Sequence, residues 1–108
     1  MHKRVVIICD GNFPKTEYPR YLIRTADFII CCDGALQKFL RASEAIFGRK
    51  RLPDIVVGDM DSLSPALRKR HGDIIVQIDE QEHNDQTKAF RWALENIEGI
   101  SQIYILGA

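Results

Sequence analysis

Short apolar runs rich in β-branched residues recur along the chain at 5–9, 28–32, 55–57, 74–76 and 103–106. None of them alternates apolar with polar positions, the pattern of strands buried on both faces in a parallel sheet. The segments between them carry helical spacing. Leu36, Phe39 and Leu40 mark one apolar stripe, and Phe90, Ala93, Leu94 and Ile97 mark a longer one. Ser64-Pro65 reads as an N-cap followed by proline at the first helical position, opening a short basic helix that ends near Gly72. Asn84 is placed to cap the last helix and Gly99 to stop it, and a further short helix is expected over 17–25. Strands alternating with helices predict an α/β fold: a parallel, doubly wound, Rossmann-like sheet with helices on both faces. No internal repeat, linker or low-complexity tract interrupts this order, so residues 1–108 read as one domain. The last strand runs directly into Gly107-Ala108, where a further element is expected in a longer protein.

Composition narrows the classes. Apolar residues make up 45% of the 108 and charged residues 28%, an ordinary globular balance. Fifteen basic residues match fifteen acidic ones, which argues against a general nucleic-acid binder. Apolar runs of about five residues are far short of the roughly 20 that span a bilayer, and no secretory signal is visible. Cys9, Cys31 and Cys32 all fall in apolar runs without C-x-x-C spacing, so they read as reduced core residues of a cytoplasmic protein.

The informative regularity is the residue that follows each strand. Asp10, Asp33, Asp59 with Asp61, and Asp79 stand after the first four apolar runs. A parallel sheet brings all its carboxyl ends to one edge, where open α/β folds bind ligands. Aspartate after a strand also serves as a cap or turn residue. Several carboxylates in one cleft, however, repel one another and raise each other's pKa. A hard divalent cation offsets that repulsion, and Mg²⁺ completes its shell with substrate phosphates. Asp59-Met60-Asp61-Ser62 is the sharpest piece, with two acids at i and i+2, a preceding Gly58 and a hydroxyl in reach of a phosphate. A second acidic stretch, 79–85, leads into the last helix, whose first-turn amides suit phosphate oxygens while Glu82 and Asp85 offer further metal ligands. Walker A, G-x-G-x-x-G and G-x-S-x-G patterns are absent from the sequence. The basic runs 49–51 and 68–70 read as solvated surface.

These motifs resemble one family. Pro53-Asp54-Ile55-Val56-Val57-Gly58-Asp59-Met60-Asp61-Ser62 is similar to the P-x-x-x-x-G-D-x-D-S signature of thiamin pyrophosphokinases. Cys32-Asp33-Gly34-Ala35 resembles that family's A-D-G-G segment, and Asn84-Asp85-Gln86-Thr87-Lys88-Ala89 its T-D-x-x-K-A segment. The terminal Ile105-Leu106-Gly107-Ala108 resembles the strand before the family's G-G-R-x-D-H continuation. The resemblance implies Mg²⁺-dependent transfer of a diphosphoryl group from ATP to thiamine, releasing AMP. By position it implies that Asp59, Asp61, Glu82 and Asp85 hold metal, with Asp59, Asp61 and Asp85 catalytic. Asp33, Gly34, Ser62, Asn84 and Lys88 would contact nucleotide or phosphate. Ala35, Glu82 and Asn84 depart from the family's usual Gly, Asp and Thr. The family also implies a homodimer and a C-terminal β domain that shapes the thiamine site, neither lying within these residues. Rival readings are a diphosphokinase acting on a pterin-type alcohol and a non-catalytic nucleotide- or metal-binding regulatory domain.

Overall fold

The computed structural model describes residues 2–108. Its elements run β1 (Lys3–Ile8), α1 (Glu17–Arg24), β2 (Phe28–Cys32), α2 (Ala35–Phe47), β3 (Ile55–Gly58), α3 (Pro65–Arg70), a 3₁₀ turn (Gly72–Ile74), β4 (Ile75–Gln77), α4 (Asp85–Asn96) and β5 (Ile100–Leu106). The five strands form one sheet in the order β4-β3-β2-β1-β5, every pair parallel. The chain therefore steps outward from β1 to β4, then α4 carries it back to place β5 on the other side of β1. That reversal is the topological switch point of a doubly wound sheet.

The central strands explain the unbroken apolar runs. Val5, Val6, Ile7 and Ile8 of β1, and Ile29, Ile30, Cys31 and Cys32 of β2, have essentially no exposed surface. Their side chains alternate between two cores. Val6, Ile8, Ile29 and Cys31 pack with Leu22 and Ile23 of α1 and Leu36, Phe39 and Ile46 of α2. Val5, Ile7, Ile30 and Cys32 pack with Ala89 and Ala93 of α4 on the opposite face. β4 and β5 are edge strands and only partly buried. β5 begins three residues before the run read from sequence, because Ser101 and Gln102 lie exposed on an edge and break the apolar pattern.

The helix ends follow the residue chemistry in part. Ser64 Oγ accepts the Leu67 amide at 3.3 Å with Pro65 in the first turn, and Asn84 Oδ1 accepts the Thr87 amide at 2.9 Å. α4 differs from expectation at its other end and on its face. It stops at Asn96 with extended Ile97 as the cap, and Gly99 (φ 76°) makes the turn into β5 instead. Phe90 and Leu94 are 38% and 57% exposed, so the buried stripe is Ala89 and Ala93, flanked by Trp92 and Ile97. Small residues let α4 lie close across β1–β3.

Two aspartates fix the amino edge of the sheet. Asp27, just before β2, accepts the Arg4 amide at 2.8 Å and returns its own amide to the Arg4 carbonyl at 2.9 Å. Asp54, just before β3, repeats the device, accepting the Ile29 amide at 2.7 Å and donating to the Ile29 carbonyl at 2.9 Å. Each carboxylate satisfies an edge amide that the shorter neighbouring strand leaves open. The three cysteines are free and buried.

Candidate active site

The carboxyl ends of β1, β2 and β3 and the amino end of α4 meet at one edge, and three acids gather there. Asp33 follows β2, Asp59 follows β3 and Asp85 opens α4; one carboxylate oxygen of each lies within 4.8 Å of the others. The backbone is bent to allow this. Asp33 holds φ 44° and sends its amide to the Val57 carbonyl at 3.0 Å, tying β2 to β3 just below the acids. Gly58 holds φ 150°, and a Cβ there would lie 3.1 Å from the Asp85 carboxyl carbon and 3.2 Å from Asp33 Cβ. Glycine at 58 is thus what lets the two acids close over the end of β3.

Burial and hydrogen bonds together shift the titration of the cluster. Asp33 Oδ1 accepts the Ser62 amide at 3.1 Å, and Asp59 Oδ1 accepts the Asp61 amide at 3.0 Å. Burial, then a proton shared with Asp59, pushes the Asp33 carboxyl up to about 6, against the pull of the Ser62 amide. Asp59 is held below the ordinary carboxylate range by the Asp61 amide and by Asp33. Burial and the charge of Asp59 raise Asp85, with Lys88 acting in the opposite direction. Lys88 is only 4% exposed; its Nζ donates to the Ile78 carbonyl at 2.9 Å and stands 3.7 Å from Asp85 Oδ1. Its chain stem fills space beneath α4 while its charge faces the acids. An all-oxygen set of three carboxylates fits a hard cation such as Mg²⁺, which Asp33, Asp59 and Asp85 would hold and whose charge would offset their mutual repulsion.

The structure sorts the residues singled out from sequence. Asp59, Asp85, Asp33 and Lys88 come together. Asp61 is exposed and contributes its amide, while its carboxylate stays outside the three-acid group. Glu82 also lies outside it: the 80–83 loop is closed by Glu80, which accepts the amides of Glu82 and His83 and contacts His83 Nδ1 at 2.9 Å. Ser62 reaches the cluster through its amide, and Asn84 uses its side chain as the α4 cap. Gly34 lies close under its neighbours: a Cβ there would press on the Asp10 carboxylate and fall 3.1 Å from Ser62 Cβ.

Sequence reasoning left two charged residues near this edge without a role. Asp10, at the end of β1, pairs with Lys38 at 2.9 Å, and Lys38 also donates to the Gly11 carbonyl at 2.7 Å. The signal for Asp10 was its place after a strand; Lys38 is one turn into α2, on the side that returns to this edge. Between β1 and β5, at the switch point, lies a cleft of about 270 Å³ bounded by Asp10, Asn84, Asp85, Gln86 and Gly107. It opens beside the three acids, where parallel α/β sheets take their ligands.

Known proteins share this fold. Solved structures similar in fold include thiamin pyrophosphokinase from yeast (22% identity, TM-score 0.66, covering 86% of this chain and 32% of that one). A thiamin pyrophosphokinase family protein from Enterococcus faecalis is 24% identical with TM-score 0.70, over 96% of this chain and 46% of the other. The enzyme from Geobacillus thermodenitrificans is 21% identical with TM-score 0.67, over 97% and 46%. The chain thus spans from about a third to just under half of the length of these structures. Residues 19–108, from α1 through the acidic edge to the end of β5, match the family model for the catalytic domain of thiamin pyrophosphokinase. With that match over most of its length, the chain belongs to the thiamin pyrophosphokinase catalytic-domain family.

Proposed function

We propose that this domain carries the diphosphate-transfer site of a thiamin pyrophosphokinase, moving the β,γ-diphosphoryl group of ATP to the hydroxyl of thiamine and releasing AMP. The observation that carries the reading is the convergence of Asp33, Asp59 and Asp85 from three separate elements beside the switch-point cleft. Family membership supplies the reaction class. Asp59 and Asp85 would hold Mg²⁺, with Asp33 as the third carboxylate, and Asp61 would act by fixing Asp59 through its amide. Bound Mg²⁺ supplies charge neutralisation along the polyphosphate. Because the Asn84 side chain takes the Thr87 amide, the Asp85 and Gln86 amides at the start of α4 are left for phosphate oxygens. Lys88 holds Asp85 in place and adds positive charge behind it. Homodimerisation and a cytoplasmic setting belong to the same proposal; among the described residues no helix is long and apolar enough to cross a membrane.

Calorimetry of the chain with ATP, with and without Mg²⁺, tests the site. Mg²⁺-dependent binding is expected, weakened at least tenfold by Asp59→Asn and by Asp85→Asn. Undiminished binding in both variants would remove the cluster from the nucleotide site. Thiamine-dependent AMP release, measured on this domain together with the β domain that the family pairs with it, tests the reaction. AMP release independent of thiamine would refute the acceptor.

A further inference from the structure

The basic run 49–51 and Arg70, the last residue of the run 68–70, are nineteen or more residues apart in sequence, and the fold brings them to one place. The first lies in the connection from α2 to β3 and the second ends α3, so both sit at the amino edge of the sheet, opposite the acidic cluster. Arg49, Lys50, Arg51, Arg70 and His71 line a cleft of about 560 Å³ there, with Leu52 in its wall. That is ample for a small anionic ligand. Among the described residues no carboxylate lies within 4.0 Å of any of these five side chains; the ion pairs formed are Arg24–Glu17, Lys38–Asp10, His83–Glu80 and Lys88–Asp85. In a chain with equal numbers of acids and bases, four unpaired cations around one cleft are an uneven distribution of charge.

The cleft is also partly preorganised. The Arg51 guanidinium lies over the Phe47 ring, 4.6 Å from its centroid, and the Arg51 amide donates to the buried Ser43 Oγ at 3.3 Å. Ser43 in turn donates to the Leu40 carbonyl at 3.0 Å, anchoring the loop to α2. One planar, permanently charged fork is therefore held in place, a geometry that suits phosphoryl oxygens. Arg49, Lys50 and Arg70 surround it with charge from two different segments.

We propose that this amino-edge cleft is a second anion site, which binds a small molecule carrying two or more linked phosphoryl groups. A single phosphate meets one fork; a di- or triphosphate spans the α2–β3 loop and the end of α3 at once. The site is separate from the acidic edge and needs no divalent cation, since its charge is already positive.

The test uses inorganic triphosphate as probe, with the 108-residue chain in EDTA, followed by amide chemical shifts and calorimetry. Shifts are expected at 49–52 and 70–71, with a dissociation constant that rises steeply with salt. Arg51→Glu and Arg70→Glu should each weaken binding tenfold or more, and Asp59→Asn should leave it within twofold. Arg70→Gln and Lys50→Gln, both at exposed positions, give a milder pair should charge reversal disturb folding; each is expected to weaken binding severalfold. Equal affinity for triphosphate and ATP would assign recognition to phosphates alone, whereas tighter ATP would add the nucleoside. Shifts confined to the acidic edge, or wild-type affinity in the Arg51 and Arg70 variants, would overturn the proposal. A short RNA binding a hundredfold tighter than triphosphate would equally overturn the assignment to a small molecule.

Discussion

Asp33→Asn should make the metal-free protein more stable at neutral pH and should do nothing for it in acid. Asp33 is 2% exposed and its carboxyl is pushed up to about 6, chiefly by burial, from an ordinary 3.8. A carboxyl with a raised folded pKa binds protons more tightly in the native state. Stability is therefore greatest below the unfolded value near 4 and falls as pH rises through about 6. The two-unit displacement sets a ceiling of about 3 kcal/mol. Asp59 shares the same proton and is held low by it, so part of that cost is returned, leaving roughly 1–2 kcal/mol. Asparagine reproduces the protonated acid. Its Oδ1 still accepts the Ser62 amide, its Nδ2 donates towards Asp59, and φ 44° is a region asparagine tolerates. Urea melts in EDTA at pH 8 should show Asp33→Asn ahead by that margin, or by about 4–8 °C per kcal/mol in thermal melts. At pH 4 the two proteins should coincide. A variant less stable at pH 8, or one whose advantage persists unchanged at pH 4, would refute the electrostatic account of the cluster.

Lys88→Met removes the cation that lowers Asp85 and leaves the Ile78 carbonyl without its donor. A loss of about 2 kcal/mol is expected at pH 8, and the Asp85 carboxyl resonance should titrate at higher pH than in wild type; an unmoved titration would uncouple the two groups. Asp54→Ala strips the Ile29 amide of its partner and should cost about 1–2 kcal/mol in denaturant melts. The Mg²⁺-dependent nucleotide affinity of that variant should stay at the wild-type level, since Asp54 lies at the opposite edge from the acids.

The sheet was readable because β1, β2 and β3 are central and buried on both faces, which forces unbroken apolar runs. The edge strands were readable only in part, since exposure lets polar residues such as Ser101 and Gln102 into β5. The face of α4 was read only in part, for a different reason: Ala93 and Ile97 pack on the sheet as expected, Phe90 and Leu94 do not. Phe90 and Leu94 are the large apolar residues and dominate any stripe drawn from hydrophobicity, yet close packing on the sheet selects the small Ala89 and Ala93. Fold class survives such an error because it depends on the order of elements.

The edge on which the acids gather was readable from sequence and their grouping into three was not, and the backbone explains the gap. Two acids at i and i+2 share a direction only where the chain stays extended. Met60, between Asp59 and Asp61, has φ 70°, which turns the chain so that the Asp61 amide meets Asp59 while its carboxylate points elsewhere. Asp33, the third acid of the group, is also in the left-handed region, and Gly58 makes room for it. Three departures from ordinary backbone conformation thus sit within one cluster of like charges, and no local sequence pattern encodes their combined geometry. Conformational strain and repulsion persist only where the surroundings over-determine them. Here the surroundings are the regular amino edge, where Asp27 and Asp54 add side-chain rungs to the ladder and spend their charge on stability. The same residue type thus fastens the sheet at one edge and, at the other, is held in an arrangement that a bound cation would relieve.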